Sequence, residues 1–246
     1  MKCVACHPAV TLIHRKNGPT KGLKALLSPL IKNRHVMTKR SFHVSEIQAL
    51  KEDYLAGIFQ FIARFLQLRP EEVQAITEQT NLRYYPKGSF LLREGQVSNL
   101  CYFVLKGCVR QYYLVDGVEK TTHFFTEGQP VTPNESTNRN QPSPCYLTCL
   151  EDAVLGVSTP EDEQRLYQKF PRLESVCRLS VEEELGKSKS QLASFILLTP
   201  EQRYLQLLQN QPDLIARVPN IHLASFLGIA PESLSRIKKR IQQRIS

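Results

Sequence analysis

The chain has 246 residues, 41% of them hydrophobic, enough for one large domain or two ordinary ones around a packed core, so a globular chain is expected. No stretch approaches the ~20 apolar residues that span a bilayer, and the apolar run from Val10 to Ile13 is too short for a secretory signal, which excludes a membrane partner and predicts a cytoplasmic protein. The formal charge of +9 is lopsided: residues 1–45 hold nine Lys or Arg and no acidic residue, while residues 46–246 balance at 23 against 23.

That first segment, broken by Pro8, Gly18, Pro19, Gly22 and Pro29, reads either as a poorly ordered basic arm or as an extension from a start assigned too early. Met37 stands just before the first well-patterned segment. Cys3, Cys6 and His7 form a CxxCH, the c-type haem attachment pattern, but no export signal precedes it. No haem, metal or other cofactor is expected. The remaining cysteines (Cys101, Cys108, Cys145, Cys149 and Cys177) are scattered singly, as small core residues in a reducing compartment would be.

A helical stretch is predicted from about Ser45 to Phe65 and a short helix from Pro70 to Gln79. From Leu82 the period changes to that of strands. Tyr84-Tyr85-Pro86-Lys87-Gly88 turns into Phe90-Leu91-Leu92, and Glu94-Gly95 turns again before Leu100 to Leu105. Lys106-Gly107 leads to the strand Val109–Val115. Asp116-Gly117 is a two-residue hairpin signal that returns as Glu119–Phe125. Strands at Tyr146–Leu150 and Val154–Val157 complete an antiparallel sandwich or barrel. Between them, Thr126 to Pro144 is rich in Gly, Pro, Asn, Thr and Ser and reads as a long surface loop. Such a loop can cover a ligand.

From Pro160 the pattern is helical again. After Pro171 the residues Leu173, Cys177, Val181, Leu185, Ser188, Leu192 and Phe195 recur at steps of four and three, an apolar seam that fits a second copy of the chain. Its other use would be packing on its own sandwich. Thr199-Pro200 ends the long helix, and Pro200–Asn210 carries Tyr204, Leu205, Leu207 and Leu208 into a C-terminal unit. Asn220 to Ser246 then reads as two short helices hinged on Gly228. Leu223, Phe226 and Leu227 share one face of the first, and Ala224 admits a crossing helix. Pro231 suits the first turn of the second, where Ile229, Leu234, Ile237 and Ile241 turn inward. From Gly228 onward there are five Lys or Arg and one Glu. The pattern is a helix-turn-helix whose second helix is basic and sized for a DNA major groove.

The order of β-roll, long helix and helix-turn-helix resembles the Crp/Fnr family of bacterial transcription regulators, over roughly Phe59 to Arg244. The residues that carry the resemblance are Tyr85-Pro86-Lys87-Gly88, Glu94-Gly95, the run Tyr102 to Arg110, and Leu227 to Arg236. It implies an α+β protein: an antiparallel jelly-roll of the cyclic-nucleotide-binding type with flanking helices (46–160), a long dimerisation helix (161–198) and a DNA-binding helix-turn-helix bundle (199–246). It implies a homodimer on double-stranded DNA, with RNA polymerase and a small-molecule effector as further partners. The expected DNA-binding residues are Pro231, Glu232, Ser233, Ser235, Arg236, Lys238, Lys239 and Arg240, with Glu232 and Arg236 at base-reading positions and Arg236 fitted to guanine O6 and N7. Pro231 stands where the family often has Arg, so one base contact is lost. The expected effector pocket is Phe125, Glu127, Gly128, Ser143 and Tyr146.

Cyclic-nucleotide-binding members hold ribose and phosphate with a Gly-Glu pair and an Arg-Ser pair. The matching stretches here, Glu127-Gly128-Gln129-Pro130 and Pro142-Ser143-Pro144, contain no arginine, and a phosphate without a cationic partner in a closed pocket binds poorly. Cyclic AMP is therefore not the expected effector. Nor is the four-cysteine cluster of oxygen-sensing members expected, since Cys3 and Cys6 supply only half a set. An enzyme on the same β-roll would need several metal ligands on neighbouring strands, and the β region offers only His123. The remaining rival is an effector-binding or protein-interaction β-roll that has lost DNA binding.

Overall fold

The computed structural model describes residues 44–131 and 141–245. The expectations for the arm, for Cys3, Cys6 and His7, and for Met37 fall outside these residues.

Antiparallel pairing builds two four-stranded sheets facing one another. In one, β1 (Asn81–Tyr85) lies beside β8 (Ala153–Ser158), then β3 (Cys101–Lys106) and β6 (Pro130–Val131). In the other the order is β2 (Phe90–Leu92), β7 (Tyr146–Cys149), β4 (Val109–Val115) and β5 (Val118–Phe125). Side chains alternate across each strand, so Leu92, Val104, Val109, Val131, Leu147 and Leu155 meet between the sheets, almost completely buried. The β4–β5 hairpin pairs Val115 with Val118. Asp116 (φ 52°) and Gly117 (φ 75°) close it, both left-handed as a two-residue turn matching the strand twist requires.

One correction concerns the stretch from Thr126 to Pro144. It is not loop throughout: Val131 and Pro130 pair with Tyr102 and Phe103, and Val131 is fully buried. Two residues are too few to show a period. Proline is tolerated there because β6 is an edge strand and needs no donor on its open side.

Helix α1 (Val44–Ala63) packs on the first sheet, with Tyr54 edge-on to Phe103 and against Gly156, whose missing side chain leaves the space its phenol fills. Helix α2 (Pro70–Gln79) leads into β1. After β8, Thr159 accepts a hydrogen bond from the Asp162 N–H, and the Asp162 carboxylate accepts from the Thr159 N–H. This capping box, with Pro160 in the first turn, starts α3 (Pro160–Lys169). A 3₁₀ turn (Pro171–Leu173) opens the long helix α4 (Glu174–Leu197). Thr199 and Gln202 repeat the reciprocal cap to start α5 (Pro200–Asn210). The short α6 (Pro212–Arg217), which periodicity does not reveal, precedes α7 (Asn220–Phe226) and α8 (Pro231–Ile245).

The helices α5 to α8 share a core of Tyr204, Leu208, Leu214, Leu223, Ala224, Leu234 and Ile241. Cys108 and Phe124, from the β-roll, belong to the same apolar cluster. Packing therefore crosses the expected boundary at residue 199.

Candidate nucleic-acid interface

The turn between α7 and α8 is built by backbone chemistry. Gly228 takes φ +69°, its N–H donates to the Ser225 carbonyl at 3.1 Å, and the Ile229 N–H donates to the Ala224 carbonyl at 3.0 Å. These two bonds are a Schellman closure, which satisfies the last carbonyls of one helix and frees the chain to start another. The ring of Phe195, at the end of α4, lies 2.8 Å from where a side-chain carbon on Gly228 would sit.

Arg203 holds this corner to the long helix. Its guanidinium donates to the carbonyls of Phe195 (2.9 Å), Leu198 (2.9 Å) and Leu227 (2.8 Å) and lies over the Phe195 ring. The ends of α4 and α7 are thus bound to one side chain. Nothing local in the sequence marks Arg203, because its acceptors are backbone groups as far as 24 residues away.

The α8 face follows from its period. Leu234, Ile237 and Ile241 are buried, and Pro231, Glu232, Ser235, Arg236, Lys239 and Arg240 are exposed. Ser233 is half-buried. Arg236 holds a long Nε–H donation to the Glu232 carbonyl at 3.4 Å. Lys238, also in the expected DNA-binding set, is placed differently from Arg236 and Lys239. Two residues from Arg236 is 200° around the helix, so Lys238 turns back toward α7 and α5, half-buried, donating to the Asn220 side chain and lying near the Tyr204 ring. That burial lowers its pKa. Arg240 and Arg244 both reach Glu201, at the start of α5, at 2.6 Å each. An open groove of about 500 Å³ runs between Thr199, Glu201, Ser233, Arg236 and Arg240.

The five residues expected to form an effector pocket take separate partners. Phe125 is in the sandwich core. Glu127 accepts from the Gly107 N–H at 2.9 Å and pairs two-pronged with Arg217 of α6, both at 2.8 Å. Gly128 makes a turn at φ +78°. The Ser143 hydroxyl donates to the Cys145 carbonyl at 3.0 Å, and Tyr146 stacks on Tyr112 at 4.9 Å. Glu127 and Ser143, both in the expected effector pocket, thus bond to other groups of the protein. His123 is half-buried beside Phe125, and burial lowers its pKa.

Arg217 also donates to Glu151, through Nε at 3.0 Å and through a shorter Nη2 contact. Burial alone would raise the Glu127 pKa, but hydrogen bonds from Arg217 and from backbone N–H groups outweigh it and hold the carboxyl below its ordinary range. A second link joins the Ser225 hydroxyl of α7 to β5: it accepts from the Thr121 N–H at 2.9 Å and donates to the Glu119 carbonyl at 3.0 Å.

The seam on α4 is open toward its C-terminal end. Leu173 is buried, but Val181, Leu185 and Leu192 are 61%, 54% and 62% exposed, and Phe195 is 49% exposed despite its contact at Gly228. Its start packs against α1, α2 and α3, where Leu173 and Val176 meet Ile62, Ile76, Leu166 and Tyr167.

Residues 82–170 match the cyclic nucleotide-binding domain family. No curated protein matches the sequence. Among solved structures, the chain is similar to the c-di-GMP-responsive global regulator CLP of Xanthomonas campestris: 19% identity, 72% of this chain and 93% of that one covered, TM-score 0.58. FixK2 of Bradyrhizobium japonicum is similar at 16% identity, with 67% and 85% covered and a TM-score of 0.58. A variant of CooA from Carboxydothermus hydrogenoformans is similar at 16% identity, with 76% and 84% covered and a TM-score of 0.56. At these identities the likeness is one of fold. Residues 82–170 are thus similar to the cyclic nucleotide-binding domain family, and the chain shares the fold of these solved structures, which is the fold expected from the Crp/Fnr resemblance.

Proposed function

We propose that the protein is a homodimeric, sequence-specific DNA-binding transcription regulator whose α8 enters the major groove. The observation that carries this reading is the outward Arg236, on a helix started by a well-formed turn and held to a long helix whose apolar seam its own roll leaves exposed. Two copies joined along that seam would offer two such helices to half-sites about one helical turn apart. Arg236 would read guanine through O6 and N7, with Glu232 beside it, and Lys239 would take phosphate.

Cyclic AMP is not proposed as the effector: the Ser143 hydroxyl is bonded to Cys145, Glu127 is held by Arg217, and neither matched stretch contains an arginine. The reading involves no catalytic step.

Binding to random duplex measured across a salt series tests it. A groove-binding dimer loses affinity steeply as salt rises, because neutralised phosphates release their counterions. A roll that has lost DNA binding would show little duplex affinity at any salt, and that result would overturn the proposal.

A further inference from the structure

We infer that Glu201 is a specificity-determining residue of this interface, acting on DNA recognition without touching DNA. The inference rests on the DNA-binding reading of α8. It starts from where the five cations after Gly228 go. Lys238 is turned away and held by Asn220, while Arg240 and Arg244, one helical turn apart, are taken by the two oxygens of a single carboxylate, Oε2 and Oε1 of Glu201, each at 2.6 Å. Arg236 and Lys239 remain exposed without a carboxylate partner among the described residues.

Glu201 is well placed to hold both arginines. It lies in the first turn of α5, where the helix dipole favours a carboxylate, and its side chain is only 18% exposed against 53% for Arg240 and 64% for Arg244. The flexible partners are the arginines. A phosphate would meet either guanidinium beside a carboxylate that already occupies one of its N–H groups and offsets part of its charge, so the cations that would grip any duplex regardless of sequence are held back. The cation fitted to read a base, Arg236, is left out. Phosphate contacts supply affinity without sequence information, and base contacts supply the discrimination. Glu201 therefore shifts the balance from the first toward the second.

The test uses the full chain, with random duplex and a duplex selected from genomic fragments, across a salt series. Glu201→Gln should bind random duplex more tightly and steepen the slope of log affinity against log salt by about one to two, the change expected for one or two added phosphate contacts. The ratio of selected to random affinity should fall. In the unmodified chain, Arg240→Gln with Arg244→Gln should change the slope by less than about one, whereas in the Glu201→Gln background the same pair should abolish the gain. An unchanged slope in Glu201→Gln, or a loss of affinity showing that the carboxylate instead aims the arginines at phosphates, overturns the role of Glu201 alone. Should the Gln variant fold poorly, the arginine pair in the unmodified chain decides the matter independently: a slope lowered by about two would mean that both arginines already grip phosphate and that Glu201 does not restrain them. If the unmodified chain shows no salt-dependent duplex binding, the DNA-binding reading itself fails.

Discussion

Arg236 and Lys239 lie three residues apart on one exposed face, and their chemistry separates their roles. A guanidinium presents a planar fork to a base edge, whereas an ammonium is a compact charge suited to phosphate. Arg236→Ala should cost about 1–3 kcal/mol of binding to the selected site and relax the choice at one base. Lys239→Ala should weaken all sequences alike and lower the salt slope by about one; competition between selected and scrambled duplexes separates the two. Gly228 is a different kind of residue, needed for its backbone. An alanine there meets both φ +69° and the Phe195 ring, so Gly228→Ala should destabilise the fold by more than ~1 kcal/mol in chemical denaturation. Gly228 and the Asp116-Gly117 hairpin are legible in the sequence because a turn writes its requirement into one or two adjacent residues. Glu201, Arg203 and Arg217 are not, since each acts on groups remote in sequence and an isolated charge carries no period.

At the scale of elements, long patterned segments announce themselves. The helices Pro70–Gln79 and Pro200–Asn210 fall where proline and the apolar spacing place them, and the inward face of α8 follows the 3.6-residue period. The short pieces β6 and α6 escape notice, for two and six residues cannot display a repeat. The partners of the expected effector residues are illegible for another reason: resemblance assigns positions, but a side chain is directed by what it bonds, and Glu127 has Arg217 within reach. The exposed seam of α4 belongs to this scale as well. A charge buried between two such helices is costly, so if the proposed dimer forms along this seam, Leu185→Glu should shift sedimentation toward the monomer and remove most of the duplex affinity. Leu185 is 54% exposed within one chain, so the fold of each subunit should survive.

For the whole molecule, the joint between roll and terminal helices decides the behaviour. Its ionic part is the Arg217 clamp on Glu127 and Glu151. The Glu127 pKa is depressed in the folded state from an ordinary value of 4.5. Its contribution to stability is therefore complete above that value and lost as pH falls through the lower, folded one. The melting temperature should drop as the pH is lowered past 4.5, and Arg217→Met should lower the starting point and flatten that drop, as thermal melts across pH would show.

The apolar part of the joint has a wider consequence. Cys108 and Phe124 come from strand-rich sequence yet lie in one cluster with Leu214, Leu223 and Leu234, so the roll cannot draw away from the terminal helices without exposing part of their core to water. By the same linkage, any molecule that stiffens the roll also steadies the two helices that would face the double helix.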